Sequence, residues 1–120
     1  MRNNMNKKIT IKEIITVRTG MIISVDSHVI GMVVVHVTKD DDTDVDGYVT
    51  NLSIDKEYRR KGYATVLMNK VLEKFGHLEL ELFPIPDDDN ITKKQLKAFY
   101  RSFGFKESTD GSGLMYRKPK

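Results

Sequence analysis

The sequence lacks several features that mark particular protein classes. None of its 120 residues is cysteine, so neither a disulfide framework nor a thiolate nucleophile is available. No apolar run reaches the ~20 residues needed to cross a bilayer, and the polar residues 1–8 lack the apolar core of a secretory signal. No Gly-x-x-x-x-Gly-Lys-Ser/Thr sequence occurs, which disfavours a nucleotide triphosphatase. These absences predict a soluble, cytoplasmic protein.

Length and charge restrict the number of domains and the kinds of partner that we expect. A chain of 120 residues suits one domain with one core, here residues 1–120, with residues 1–6 expected to be disordered. The net charge of +3 is modest and the charges are mixed along the chain, so nucleic-acid binding is disfavoured. The histidines have no metal-ligand spacing, and the Asp-rich stretch 42–47 lacks the glutamate that completes a calcium loop. No metal site is therefore expected.

The hydrophobic pattern predicts an α/β (α+β) fold with a mixed central sheet flanked by helices. Period-two alternation and turn residues indicate strands, and period-3.6 patterns indicate two helices. A short helix around Ile14 and Ile15 stays open as an alternative to strand, and Gly31 is expected at a bulge. The expected strands are Ile9–Val17, Met21–Val25, Val29–Val37, Gly47–Ile54, His77–Phe83, Phe105–Glu107 and Leu114–Arg117. The expected helices are Arg60–Lys74, capped by Gly76, and one that begins with a capping box at Thr92 and Gln95 and ends at Gly104.

The turn between the fourth strand and the first helix is the most informative stretch. It reads Arg59-Arg60-Lys61-Gly62-Tyr63-Ala64 and places small residues and cations at a helix N-terminus. The free amides of a helix N-terminus carry partial positive charge, and the basic side chains add full charges. The turn is therefore predicted to bind an anion, most plausibly phosphate.

Two motifs in this sequence resemble those of the GCN5-related N-acetyltransferase (GNAT) family. Arg59-x-x-Gly62-x-Ala64 is similar to the family's pyrophosphate-binding turn, and the segment Phe99–Phe105 is similar to its aromatic-Tyr-x-x-x-Gly-Phe motif. The resemblance covers roughly residues 45–117 and implies acetyl-CoA as cosubstrate. It also implies that the strands on either side of the first helix splay apart to admit the pantetheine arm. By this resemblance the pantetheine would pair with Leu52 and Ile54, and the phosphates would be held by Arg59, Arg60, Lys61, Gly62, Tyr63, Ala64 and Thr65.

The resemblance also suggests catalytic residues. Tyr100 is expected near the CoA sulfur as general acid, since a phenol of pKa ~10 suits protonation of a leaving thiolate whose thiol has pKa ~8.5. Many relatives carry a glutamate on the central strand where this chain has Thr50, so a carboxylate base on that strand is in doubt. Glu79 and Glu81 share one face of the following strand, which is either a solvated face or the source of the general base, and Glu81 is the residue we predict as general base.

The acceptor is expected to be an amine in an open cleft. Family members usually place two helices between the first two strands, whereas here only a few residues lie between Val17 and Met21. Reduced N-terminal helices suit a protein terminus or lysine side chain as acceptor, or a site completed by a homodimer. A non-catalytic acyl-CoA-binding or protein-interaction module of the same fold remains the alternative, favoured by Thr50 and opposed by the intact Tyr100 motif.

Overall fold

The computed structural model describes residues 8–15, 18–37, 46–86 and 91–119. The prediction of disorder for residues 1–6 lies outside this described part, and so does most of the Asp-rich stretch 42–47. Within it, none of the helices is long and apolar enough to span a membrane.

Seven strands of the described residues form one sheet, which is mixed as the hydrophobic pattern predicted. The strands lie in the order β1-β2-β3-β4-β5-β7-β6, and all neighbours are antiparallel except β4 and β5. The connection between β1 and β2 is only residues 16–17, too short for a helix, so the expectation of reduced N-terminal helices is confirmed. The strands are β1 Ile9–Ile15, β2 Arg18–Val25, β3 His28–Val37, β4 Gly47–Ile54, β5 Leu80–Leu82, β6 Lys106–Glu107 and β7 Met115–Arg117.

Strand boundaries differ from the sequence predictions at a few points. Residues Ile14 and Ile15 continue β1 because they pair with Gly20 and Thr19 of β2, which rules out the alternative helix there. Strand β5 is shorter than the predicted His77–Phe83, since its first residues instead form a turn closed by the Leu78 amide on the Phe75 carbonyl. The bulge expected at Gly31 lies beside it: Gly31 faces Ile23 and Val29 faces Ser24, which leaves Ile30 as the extra residue.

The described part of the chain also contains two α-helices, α1 (Tyr63–Phe75) and α2 (Lys93–Arg101). The start of α1 was predicted three residues too early. Arg60 and Gly62 have φ angles of 61° and 86°, and a right-handed helix needs negative φ, so it cannot begin before Tyr63. The Thr92 capping box of α2 is confirmed, with the Thr92 hydroxyl accepting from the Gln95 amide at 3.1 Å.

The two faces of the sheet have different surroundings. We call the helix-bearing side the core face, since its side chains and the buried residues of α1 and α2 form one hydrophobic cluster. We call the other side the open face, because none of its side chains in the described part is fully buried. The core face consists of Met21, Ile23, Val25, Val33, Val35, Val49, Leu80, Leu82 and Met115; the open face consists of Ile22, Ser24, Met32, Val34, His36, Tyr48, Thr50, Glu81 and Tyr116.

A buried arginine links the C-terminal regions of both helices. Arg117, only 7% exposed, donates from Nε to the Phe103 carbonyl at 3.0 Å and from Nη1 to the Gly76 carbonyl at 3.2 Å. Both carbonyls lie just beyond helix ends, where backbone acceptors lack helical partners and the helix dipole is negative. The guanidinium is therefore stabilised by backbone acceptors.

Candidate active site

Strands β4 and β5 pair at one end and part at the other. Their ladder contains only Gly47 with Leu80 and Tyr48 with Glu81. The paired end is clamped further by Asp46, whose carboxylate accepts the Glu79 amide at 2.9 Å, while the amides of Asp46 and Gly47 both donate to the Glu79 carbonyl. Beyond Tyr48 the two strands diverge and leave a gap in the sheet.

A bulge in β4 accompanies this divergence. Thr50 faces Val34 and Ser53 faces Met32, so Asn51 and Leu52 together oppose the single residue Val33. Asn51 has φ 55°, a left-handed conformation in which asparagine is enriched among non-glycine residues. A bulge of this kind bends a strand and re-aims its side chains, here at the point where β4 leaves β5.

A cavity of about 830 Å³ extends from this gap between the two helices. The end of β4, the short 3-10 turn Lys56–Tyr58, the first turn of α1 and the apolar side of α2 supply its walls. Because both helices pack on the core face, the cavity lies on that side of the sheet. It is lined by Leu52, Ser53, Ile54, Lys56, Tyr58, Arg59, Arg60, Gly62, Tyr63, Ala64, Thr65, Ile85, Ile91, Gln95, Leu96, Phe99 and Tyr100.

The N-terminus of α1 presents backbone donors to the cavity. The first helical hydrogen bond runs from the Val66 amide to the Gly62 carbonyl at 3.1 Å, so the amides of Tyr63, Ala64 and Thr65 have no acceptor within the helix. Gly62 has space around the position that a Cβ would occupy. An anion can therefore approach this backbone closely.

The basic side chains of the turn have different roles. Arg59 donates from Nε to the Ile54 carbonyl at 2.8 Å and so holds the turn against the end of β4. Arg60 is exposed and lines the cavity. The Lys61 ammonium lies 5.9 Å from the centre of the Tyr58 ring, and Lys61 does not line the cavity. Lys56, which the sequence analysis did not select, lines it instead.

Tyr100 is a buried residue of α2 that lines the cavity. Its ring packs edge-to-face against Phe99 and Phe105, with centroid distances of 5.3 Å and 5.9 Å. This packing restricts the ring and places a phenol in a cavity whose other walls are largely apolar.

Glu81 does not line the cavity. It lies half-buried on the open face, on the other side of the sheet from the helices. Burial, with the negative charge of Glu79 nearby, raises the pKa of the Glu81 carboxyl above its ordinary value of 4.5, although the Tyr48 hydroxyl that donates to it acts in the opposite direction. Thr50 lies exposed on the same face and supplies no carboxylate.

Most of the predicted cofactor-binding residues lie together in the structure. All predicted cofactor-binding residues except Lys61 line one cavity, together with Tyr100, whereas Glu81 is separated from them by the sheet. The sequence analysis did not select Ile85 and Phe99 as cavity residues, although Phe99 belonged to the aromatic motif and could have been found there. In the described ranges no three histidines, aspartates or glutamates are grouped so that they could hold a metal ion.

Comparisons with known proteins agree with this architecture. The family model described as acetyltransferase (GNAT) domain matches residues 18–107, three quarters of the chain. A search of curated proteins finds no significant sequence match.

Solved structures with similar folds are numerous. A GNAT family acetyltransferase from Elizabethkingia anophelis, solved with acetyl-CoA bound, has TM-score 0.68 at 14% identity and covers 92% of this chain and 97% of its own. The IAA acetyltransferase from Bacillus cereus has TM-score 0.66 at 16% identity, covering 92% and 99%. A GNAT family acetyltransferase from Staphylococcus aureus Mu50 has TM-score 0.62 at 18% identity, covering 86% and 68%. At these identities the likeness shows the fold.

Proposed function

The chain belongs to the GNAT family of acetyltransferases, and from that premise we propose that it moves an acetyl group from acetyl-CoA to a primary amine by direct attack. Tyr100 acts as the general acid in this proposal and Glu81 as the general base. The observation that carries it is one cavity that joins the free amides of α1 to the gap between β4 and β5 and contains the Tyr100 phenol.

The residues around the cavity fit the parts of acetyl-CoA. The amides of Tyr63, Ala64 and Thr65 match the diphosphate, since a helix N-terminus favours negative charge. Arg60 and Lys56 add positive charge at the same end. Nearer the gap the walls are apolar and suit the pantetheine arm, which can pair with the backbone at Leu52 and Ile54 of the diverging strand.

The chemical step removes two protons from the acceptor ammonium and supplies one proton to the departing sulfur. The acceptor ammonium gives its first proton to the Glu81 carboxylate, and the neutral nitrogen then attacks the thioester carbonyl carbon. The carbon–sulfur bond breaks and the departing thiolate takes the proton of the Tyr100 hydroxyl; the nitrogen loses its second proton as the amide forms, and that proton restores the Tyr100 hydroxyl. Backbone amides of β4 on the gap side stabilise the tetrahedral oxyanion.

The general base must offset the free energy needed to deprotonate the acceptor amine. A lysine-type amine of pKa ~10.4 costs about 4.6 kcal/mol to present neutral at pH 7. The raised pKa of Glu81 makes it a better proton acceptor than an ordinary glutamate and reduces the mismatch. Desolvation of the ammonium as it enters the gap lowers the pKa of the ammonium and supplies a further part of the free energy of deprotonation.

A second candidate function is a non-catalytic module that binds acyl-CoA without transferring the acyl group. Two observations favour it: Thr50 provides no carboxylate on β4, and Glu81 does not line the cofactor cavity. The two candidates predict the same acetyl-CoA affinity and differ in turnover.

The experiment combines acetyl-CoA binding by calorimetry with release of free CoA thiol in the presence of a panel of primary amines. Replacing Tyr100 by phenylalanine keeps the ring packing and removes only the hydroxyl. We expect kcat to fall roughly 100-fold or more, while the dissociation constant of acetyl-CoA changes less than about two-fold.

The matched control is Phe103→Leu, which alters an aromatic residue of the turn after α2 that packs on Phe99 and does not line the cavity. Its turnover should stay within a few-fold of wild type at a temperature where both variants are folded. Binding with no thiol release from any amine would support the non-catalytic module. An unchanged kcat in Tyr100→Phe would remove Tyr100 from the mechanism.

A further inference from the structure

A glutamate lies between two tyrosines on the open face of the sheet. Tyr48 of β4 and Tyr116 of β7 are the direct register partners of Glu81 on β5. Register partners on neighbouring strands project to the same side of a sheet. The carboxylate is therefore flanked by one aromatic ring on each side.

The carboxylate is held in position by its surroundings. All three side chains are half-buried, and the nearby Tyr48 hydroxyl favours the ionised form of the carboxyl by lowering its pKa. Glu79 and Asp110 are close enough to add negative potential. A half-buried carboxylate beside two aromatic residues is suited to an organic cation, because the carboxylate supplies charge and aromatic rings attract ammonium.

The chain itself shows that this region attracts an ammonium group. The Lys118 Nζ lies 5.9 Å from the centre of the Tyr116 ring and 2.9 Å from the Glu79 Oε1. That pairing balances the charge of Glu79. In the described part of the chain, no lysine or arginine forms an ion pair with Glu81.

The three residues lie at the edge of the gap between β4 and β5. Tyr48 and Glu81 are the last pair of the ladder before β4 and β5 diverge. A cation at Glu81 therefore lies at the mouth of the gap on the open face, whereas the Tyr100 phenol lies on the core face side. Both described helices pack on that core side, so the open face can receive an extended chain.

We propose that Tyr48, Glu81 and Tyr116 form the ammonium-binding site for the acceptor, and that the acceptor is a lysine side chain of a polypeptide lying across the open face. This rests on the proposed function. Charge complementarity selects a cation. The exposed or half-buried apolar side chains of Met32, Val34 and neighbouring Ile22 offer contacts to the peptide around the lysine.

The test uses the full chain with acetyl-CoA and the peptide acetyl-Ala-Ala-Lys-Ala-Ala-amide. Leucine at Tyr116 or Tyr48 should raise the KM for this peptide roughly five- to thirty-fold, the range expected for loss of a partly desolvated cation–π contact. Acetyl-CoA affinity should stay within about two-fold of wild type. Tyr116→Phe keeps the ring and should recover most of the KM change caused by Tyr116→Leu, which separates ring loss from a folding defect.

Two inhibitor peptides test the cation directly. The same peptide with trimethyl-lysine cannot accept an acetyl group but keeps the charge, and it should inhibit competitively against the lysine peptide. The norleucine peptide lacks the charge and should not inhibit. Ser24→Ala, on the open face in β2, serves as control and should change neither KM nor inhibition.

The outcomes separate this inference from the proposed function. Turnover with unchanged KM in Tyr116→Leu and Tyr48→Leu would overturn the ammonium site and leave the acetyltransferase proposal standing. Acetylation of other amines but not of the lysine peptide would do the same. Absence of acetyl-CoA binding would overturn the proposed function, and NMR titration of the tyrosine ring signals with the trimethyl-lysine peptide would then still decide whether the site binds a cation.

Discussion

Gly62 allows backbone strain and cofactor contact to be measured separately. Its φ of 86° is unfavourable for any L-residue with a Cβ, yet no atom lies within 4 Å of the position that a Cβ would take. Gly62→Ala should therefore destabilise the free protein through strain alone. The left-handed conformation costs about 1–2 kcal/mol, and the reduced entropy of the unfolded chain offsets about 0.4–1 kcal/mol of it. A net loss of about 1 kcal/mol lowers the Tm by roughly 3–6 °C for a chain of this size.

Gly111 provides the matched control. It has φ 81° and equally open space, but it lies in the loop between β6 and β7 and does not line the cavity. Gly111→Ala should therefore lower the Tm by a similar amount without touching the cofactor. Only Gly62→Ala places a methyl group where the diphosphate approaches the amides of α1, and we expect it to weaken acetyl-CoA binding about ten-fold or more.

Thermal protection by acetyl-CoA measures the difference in cofactor affinity between the two glycine variants. At a ligand concentration of about 100 times the wild-type dissociation constant, binding stabilises the wild type and Gly111→Ala by about 2.7 kcal/mol. A ten-fold weaker complex reduces this to about 1.4 kcal/mol, so the protection of Gly62→Ala should be roughly halved. Equal protection in all three proteins would refute the placement of the diphosphate at this turn. A clearly different loss of Tm in the two glycine variants without acetyl-CoA would refute the reasoning on φ.

Three further predictions concern side chains described above. Arg117→Met removes the hydrogen bonds to two carbonyls beyond helix ends and should lower the free energy of unfolding by about 2–4 kcal/mol in chemical denaturation, with Arg117→Lys losing less; equal stability of all three would contradict the linking role. Glu81 binds its proton more tightly in the folded protein than in the unfolded chain, so this group favours folding at acidic pH and loses that contribution as pH rises through its folded pKa. Glu81→Gln should therefore raise the Tm near pH 7 but not below about pH 4, and should abolish the acid limb of the pH–rate profile; an unshifted profile would exclude Glu81 as base. Thr92→Val removes the hydroxyl that accepts the Gln95 amide and should cost about 1 kcal/mol of stability, whereas Thr92→Ser should cost little.

Local patterns predicted most of the fold. Alternation defined β4 as Gly47–Ile54, the observed bounds, and the capping box located the start of α2 at Thr92. The start of α1 was missed because the positive φ of Arg60 is imposed by the turn and leaves no sign in an arginine side chain. The length of β5 was overestimated because its predicted first residues belong instead to the turn after α1, which the Leu78 amide closes on the Phe75 carbonyl.

Only part of the candidate site was predictable, because only part of it is contiguous in the sequence. The residues of the basic turn are contiguous, so one motif located nearly all of them. Glu81 was predicted as the base from its position on one face of a strand. Which face of the sheet the helices cover, however, depends on contacts between distant segments. The separation of Glu81 from the cofactor cavity therefore became visible only in three dimensions.

The strand order has a consequence for how the molecule assembles during synthesis. Strands β1 to β4 follow one another in the sheet as they do in the chain, so their pairings join neighbouring segments and can form early. The cofactor cavity draws instead on residues from both halves of the chain, 52–65 and 85–100, and it is complete only after α2 has docked. Acetyl-CoA should therefore bind only the finished protein and act as a late stabiliser of the newly made chain.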